Sequence, residues 1–219
     1  RSAAGHIHLG LSENTHYMNQ REHLAPLLDI LLGNTCVLID RDPGNVERRK
    51  VYGRAGEYRL PKHGFEYRTL SNFWLRSYQL MSFVMGVSRL AVNFFAPRGD
   101  KTWDPSKELL SLVDPSKIQD AINGNDLKLA QKNFNAIKPF ILQHLGSGVA
   151  GFNAYNLPKF EFFCQKVQKK GMESWFPDDP MTHWCKIAEN KVPVDYNGWE
   201  SFLGKRVTNR MVTNKKGDV

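Results

Sequence analysis

The chain has 219 residues, which is enough for one large domain or two small ones around a buried core. Its 13 Phe, 7 Tyr and 5 Trp exclude bulk disorder, and its 3 Cys and 17 unperiodic Gly exclude a disulfide scaffold and a collagen-like chain. Thirty Lys and Arg against 22 Asp and Glu give a formal net charge of +8, which favours an anionic partner such as a nucleotide, a nucleic acid or an acidic peptide.

The cysteines bear on the cellular compartment of the protein, and the first residue bears on whether the sequence is part of a longer chain. Cys36, Cys164 and Cys185 are widely spaced and form no CxxC pair, which predicts free thiols in a reducing compartment. We therefore expect a cytoplasmic protein. Because the sequence begins with Arg1 rather than Met and enters a predicted strand almost at once, we also expect it to be the C-terminal part of a longer protein.

The first predicted elements are a strand and a helix. Ala3–Leu11 alternates like a strand, with His6 and His8 on one face and apolar residues on the other. Leucines at helical spacing predict a helix over residues 24–32 that stops at Gly33. The apolar run Cys36–Ile39 that follows fits either a strand or a continued helix.

A dense basic stretch comes after a turn at residues 42–45. Its cations are Arg48, Arg49, Lys50, Arg54 and Arg59, interrupted by Gly53 and Gly56. Glycines let backbone approach a ligand closely, and the stretch lies directly before a second predicted strand, Gly64–Thr69. The arginines can therefore converge on one anionic ligand or form an ordinary solvated face.

A long apolar helix is predicted over Asn72–Phe95. Its length suits a membrane span, but Arg76 and Arg89 lie within it, and an arginine in the membrane centre is costly. We predict a buried core helix of a soluble protein instead, with both arginines reaching solvent or a carboxylate.

The second half of the chain is predicted to be mostly helical. Asp104-Pro105 and Asp114-Pro115 each combine an N-cap residue with a proline suited to the first helical position. The other predicted elements are a helix over Asp126–Leu145, a helix over Pro158–Lys170, an irregular segment over Gly171–Phe202 and a frayed tail over Thr208–Val219. The predicted division is a first region over residues 1–95, a mostly helical accessory region over 96–207 and a flexible tail over 208–219.

Two short motifs carry side chains that can bind a metal and a phosphate. His6 and His8 point to the same side of a strand about 7 Å apart, which suits a metal–nucleotide site. Glu66 and Arg68 share one face of the second strand, where a carboxylate can bind Mg²⁺ and a guanidinium can hold a phosphoryl oxygen. The plain alternatives are two polar residues on a solvated strand and a cross-strand salt bridge.

Three segments together resemble the phage-type carboxylate–amine ligases of the glutamine synthetase and glutamate–cysteine ligase superfamily. They are GHIHLG at Gly5–Gly10, RRKVYGRAGEYR at Arg48–Arg59 and GFEYRTLSNFW at Gly64–Trp74. The resemblance covers about residues 1–95. It implies an α+β fold in which an antiparallel sheet forms part of an open half-barrel backed by helices.

The resemblance also implies a reaction and roles for residues. Enzymes of this type use ATP and Mg²⁺ to convert a carboxylate to an acyl phosphate, which an amine then attacks; a peptide is one candidate substrate. By position, the resemblance makes His6 and Glu66 metal ligands, His8 a nucleotide-phosphate contact and Arg68 the catalytic arginine that steadies the transferred phosphoryl group. It makes Arg59 catalytic and Arg54 phosphate-binding. A phage-encoded protein would act in the host cytoplasm.

The superfamily takes further metal-binding glutamates from strands upstream of the HxH strand, and only a few residues precede that strand here. The resemblance therefore leads us to expect that the chain as given does not turn over. The alternative function is that of a non-enzymatic basic phage protein that binds nucleic acid or a protein partner on a ligase-derived scaffold. We expect no membrane association, and the sequence leaves oligomeric state and substrate identity open.

Overall fold

An antiparallel sheet and several helices share one hydrophobic core, which confirms the α+β class. The computed structural model describes residues 4–10, 18–76, 78–95 and 105–146. These residues lie within one compact unit inside residues 1–175. Outside them fall Cys164, Cys185, the predicted helix Pro158–Lys170, the predicted irregular segment Gly171–Phe202 and the predicted tail.

The sheet has β3 (Gly64–Tyr67) at its centre, between β1 (Ile7–Gly10) and β2 (Tyr58–Arg59). Both pairings are antiparallel, so the predicted pairing of the first strand with the strand at residue 64 is confirmed.

Strands β1 and β3 are shorter than the alternation predicts. The ladder pairs Ile7 with Tyr67, yet the next bridge pairs Ala4 with Ser71. One extra residue therefore lies on the second strand between these pairs, as at a β-bulge. Beyond the ladder, the amide of Gly5 donates to the carbonyl of Leu70 at 3.1 Å, and the amide of Arg68 donates to the carbonyl of Glu57 on the side of β2.

Helix α1 runs from Arg21 to Ile39, so the prediction that it stops at Gly33 is wrong and Cys36–Ile39 continues the helix. The glycine serves close packing: a Cβ at Gly33 would lie 2.5 Å from the hydroxyl of Tyr67 and 2.9 Å from Ile122 Cδ1. The segment Asp29–Gly33 forms a π-helical turn at this contact.

By length and apolar composition alone, α1 could cross a membrane. It lies near the N-terminus, and 83% of its most apolar window is buried inside the protein. A helix that is apolar on all sides can be the core helix of a protein, and the high burial of α1 fits that role.

The basic stretch begins as helix α2 (Gly44–Val51), which starts where the carboxylate of Asp42 accepts a hydrogen bond from the amide of Gly44 at 2.8 Å. The long apolar helix begins later than predicted. Residues Phe73–Arg76 form a 3₁₀ turn, and helix α3 covers Tyr78–Phe95.

The expectation for α3 itself holds. Its described apolar side chains are largely buried, among them Phe83, Val84 and Leu90. Arg76 and Arg89 are exposed, as predicted.

The described helices of the second half are α4 (Pro105–Leu112), α5 (Pro115–Gly124) and α6 (Leu127–Gly146). Asp114 caps α5 as predicted, accepting from the amide of Ser116 at 2.9 Å, whereas Asp104 lies outside the described residues. Helix α6 confirms the helix predicted over Asp126–Leu145.

These helices pack into the same core as residues 4–95. Asn34 of α1 donates to the carbonyl of Ala130 at 3.1 Å, and Asn133 of α6 donates to Asn34 at 3.0 Å. Buried polar groups need such partners, so this pair fixes α6 against α1. A functional division at residue 95 stays a prediction, since the core itself continues across it.

Candidate active site

The pairing of β1 with β3 brings the two predicted histidines to the predicted carboxylate. His8 lies directly opposite Glu66 in the ladder, and His6 lies two residues earlier on the same side. His6 Nδ1 is 2.9 Å from Glu66 Oε1. One ligand atom from each of these three residues lies within 4.8 Å of the others, which is a group that could hold a metal ion.

Glu66 is buried yet surrounded by cations. Arg59, its partner on β2, donates two hydrogen bonds to the carboxylate, from Nε at 2.9 Å and from Nη2 at 2.8 Å. Arg68 Nε lies 3.5 Å from Glu66 Oε1. The side chains of His6, His8 and Arg68 therefore converge on Glu66 on one face of the sheet, as the sequence predicts. The structure adds Arg59 to them from β2.

This arrangement keeps the carboxylate ionised. Chiefly because of its hydrogen bonds to Arg59, the pKa of Glu66 is lowered. The same bonds raise the pKa of Arg59. Burial lowers the pKa of His6 more than the charge of Glu66 raises it, which favours a neutral imidazole. An ionised carboxylate beside a neutral imidazole is the state that binds a metal ion.

Arg54 lies in a different setting from Arg59 and Arg68. Its guanidinium donates to the carbonyls of Arg49 and Lys50, each at 3.0 Å, at the C-terminal end of α2. Cationic side chains commonly satisfy the last carbonyls of a helix in this way. The phosphate-binding role of Arg54 stays a prediction, and these capping contacts weigh against it.

Two other arginines of the basic stretch are structural. Arg48 is buried and donates to the carbonyl of Thr69 at 2.7 Å, and Arg49 is buried and donates to Asn125 at 3.0 Å. The basic stretch is therefore not a continuous solvated face.

Sequence reasoning gave no role to three residues that the structure places at the site. The hydroxyl of Tyr52 contacts His6 and accepts a hydrogen bond from Arg68 Nε at 3.1 Å. Glu57 lies 3.5 Å from Arg68 Nη1, and the ring of His63 stacks on His8 with centroids 5.9 Å apart. Tyr52 and Glu57 belong to the glycine-containing motif at residues 52–59, so that motif was the available signal.

The turn in that motif depends on its glycines. Gly53 has a φ of 78° and Gly56 a φ of 74°, both in the left-handed region that favours glycine. The amide of Gly53 donates to Glu57 at 2.6 Å and closes the turn. Tyr52 and Glu57 are thereby both brought into contact with Arg68.

Together the sheet and the cluster define an α+β protein with a candidate site for a divalent cation and an anionic group. Residues 2–98 match a family model described as phage phiEco32-like COOH.NH2 ligase-type 2. The resemblance inferred from the motifs is confirmed over that region. The family description supports a phage-type enzyme that joins a carboxylate to an amine. No curated protein and no solved structure matched the chain.

Proposed function

We propose that this protein is an ATP- and Mg²⁺-dependent ligase that forms an amide through an acyl phosphate, with a small molecule or a peptide supplying the carboxylate. The observation that carries the proposal is the convergence of His6, His8 and Glu66 between two arginines, inside the region similar to phage ligases. We also propose that the sheet is part of a glutamine-synthetase-like half-barrel.

The spacing of two donors suits one divalent cation, and Glu66 offers the carboxylate oxygen that Mg²⁺ prefers. Two neighbouring ligands of an octahedral ion with bonds of about 2.1 Å lie about 3 Å apart. His6 Nδ1 and Glu66 Oε1 are separated by 2.9 Å. Bound there, Mg²⁺ would neutralise charge on phosphate oxygens and on the leaving ADP.

The arginines are suited to the transferred phosphoryl group. Arg68 is held by contacts to Tyr52 and Glu57, so its position is fixed before a substrate binds. The side chain of Arg59 is 60% exposed and can turn from Glu66 towards a phosphate. The imidazole of His8 is exposed on the same face and can donate to a nucleotide phosphate.

The proposed chemistry has two steps. A carboxylate oxygen attacks the γ-phosphorus of ATP, and the bond to the β–γ bridging oxygen breaks to release ADP. An amine nitrogen then attacks the acyl carbon, the acyl–phosphate bond breaks, and the amine loses a proton as inorganic phosphate leaves. Positioning and charge neutralisation supply most of the catalysis in such transfers.

The alternative of a basic nucleic-acid-binding protein has less support. Arg48 and Arg49 are buried and Arg54 caps a helix, so these three cations are engaged within the protein. Binding to duplex DNA with a steep salt dependence would favour that alternative.

The test is ADP release by the protein at its full natural length, with a panel of carboxylates and amines. Glu66→Ala and His6→Ala are expected to reduce turnover by at least about 100-fold, because each removes a metal ligand. The matched controls are Glu47→Ala and His23→Ala, both at exposed positions, which should leave turnover unchanged.

Two outcomes would count against the proposal. Turnover that falls less than about tenfold in both site variants would show the residue assignment to be wrong. Absence of ADP release across a broad panel would favour the binding-protein alternative.

A further inference from the structure

The hydroxyl of Tyr52 lies between the imidazole of His6 and the guanidinium of Arg68. It contacts His6 Nε2, and it accepts a hydrogen bond from Arg68 Nε at 3.1 Å. The phenol ring stacks on the imidazole with centroids 5.6 Å apart, and the guanidinium carbon lies 4.6 Å from the phenol centroid. One side chain therefore contacts both a candidate metal ligand and the candidate phosphoryl arginine.

The direction of each hydrogen bond follows from the chemistry of the groups. An arginine N–H can only donate, so Tyr52 Oη accepts from Arg68. Both oxygens of Glu66 accept from Arg59, so this carboxylate is an acceptor, and the proton between it and His6 lies on Nδ1. His6 Nε2 then has a free lone pair and accepts a hydrogen bond from the Tyr52 hydroxyl.

A cation held by His6 Nδ1 and Glu66 would need the opposite tautomer. Nδ1 must offer its lone pair to the metal, which leaves the proton on Nε2. The Tyr52 hydroxyl oxygen can accept a hydrogen bond from this Nε2–H group, because a phenol oxygen both donates and accepts. The same oxygen can continue to accept from Arg68.

We propose that Tyr52 is a positioning residue that holds the His6 imidazole in place and supports both of its tautomers, so that Nδ1 is free to bind a divalent cation beside Glu66. The inference rests on the metal site of the proposed function. It assigns a task to a hydroxyl that neither touches the reacting atoms nor binds the metal.

The backbone fixes Tyr52 in this position. Its amide donates to the carbonyl of Arg48 at 2.7 Å, at the end of α2. A Cβ on the next residue, Gly53, would collide with the guanidinium of Arg48 and would also meet a φ of 78°. The end of α2 and the glycine turn thus leave the phenol facing the sheet.

The first test measures Mn²⁺ affinity by electron paramagnetic resonance in the wild-type protein and in Tyr52→Phe. This substitution keeps the ring and removes only the hydroxyl. We expect Mn²⁺ to bind about 10- to 100-fold more weakly, which is the usual effect of losing a partner that orients a ligand histidine. Tyr58→Phe is the matched control, since Tyr58 lies on β2 with its ring stacked on Phe65. Equal affinities in wild type and Tyr52→Phe would overturn the inference.

The second test needs no metal. In ¹⁵N spectra of the metal-free protein, with His6 assigned by comparison with His6→Asn, loss of the hydroxyl should move the Nε2 resonance towards that of an unbonded ring nitrogen. An unchanged resonance would overturn the inference, whatever the metal result. A moved resonance in a protein that binds no Mn²⁺ would support the Tyr52–His6 pairing and refute the metal site of the proposed function.

Discussion

Glu66 and Asp29 are two buried carboxylates on opposite sides of strand β3, and their pKa values shift in opposite directions. The side chain of Glu66 is 2% exposed and Asp29 is 4% exposed. The pKa of Glu66 is lowered, whereas burial raises the pKa of Asp29 to about 7. Two carboxylates with similar exposed fractions therefore have pKa values shifted in opposite directions.

The difference lies in the partners. Glu66 receives two hydrogen bonds from the cationic Arg59 and lies beside Arg68. Asp29 receives its hydrogen bonds from neutral groups, the hydroxyl of Tyr67 at 2.6 Å and the backbone amide of Gly56. Neutral donors offset the desolvation of a carboxylate less than a bound cation does. The face of Glu66 thus holds a permanent anion, and the face of Asp29 holds a group that binds a proton near neutrality.

The largest expected effect concerns Asp29. Because its pKa is higher in the folded protein than its ordinary value of 3.8, its contribution to stability is complete below about pH 4 and is lost as the pH rises through about 7. We expect the wild-type free energy of unfolding to fall, relative to that of Asp29→Asn, by about 1.4 kcal/mol per pH unit across this window.

Urea unfolding at a series of pH values measures this difference. Asp120→Asn is the control, because Asp120 is exposed and paired with Lys117. If the free energy of unfolding changed with pH in the same way in wild type and in Asp29→Asn, the pKa of Asp29 would not be raised on folding.

The second prediction concerns Glu66→Gln. A glutamine cannot accept both charge-assisted bonds of Arg59, so we expect a loss of about 1.5–3 kcal/mol in the free energy of unfolding at pH 7. Since the pKa of Glu66 is lowered on folding, the wild-type advantage should be complete above about pH 4.5 and shrink as the pH falls below it.

Chemical denaturation at pH 7 and pH 3.5 tests this prediction against Glu47→Gln. Glu47 is exposed and paired with Lys50, so its substitution should cost less than about 1 kcal/mol. An advantage of wild type over Glu66→Gln that grows on acidification would contradict the expected sign.

The smallest effect is expected at Gly33, on the side of Asp29. A methyl group there would meet Tyr67 Oη at 2.5 Å and disturb its bond to Asp29, so Gly33→Ala should destabilise by about 1–3 kcal/mol. Gly124 is also helical, and nothing lies within 4 Å of a Cβ at that position. Gly124→Ala should therefore be neutral or slightly stabilising in thermal unfolding. Equal melting temperatures for the two variants would show that the contact at Gly33 carries no cost.

The two faces of β3 were not equally predictable from the sequence. His6, His8 and Glu66 could be assigned to one face because strand alternation is a local rule, and that assignment is confirmed. The pair Asp29–Tyr67 could not be found in this way. It joins residues 38 apart, and no periodic pattern relates a residue in a helix to one in a strand.

The wrong end predicted for the first helix and the weakened support for a phosphate role of Arg54 have the same origin. A glycine such as Gly33 is common at the end of a helix, but here glycine is required because the hydroxyl of Tyr67 approaches the backbone closely. Arg54 lies in a basic run that suggests phosphate binding, but carbonyls at a nearby helix end take its donors. In both cases the contacts in the folded protein differ from the role that the neighbouring sequence suggests.

The extra residue between Tyr67 and Ser71 changes the face of the sheet on which the following side chains lie. With strict alternation, Leu70 would share the face of Arg68 and Glu66. The insertion shifts the phase of the alternation, and Leu70 is buried in the core while Arg68 stays beside the carboxylate. A polar cluster and a buried apolar side chain can thus follow each other within a few residues of the chain.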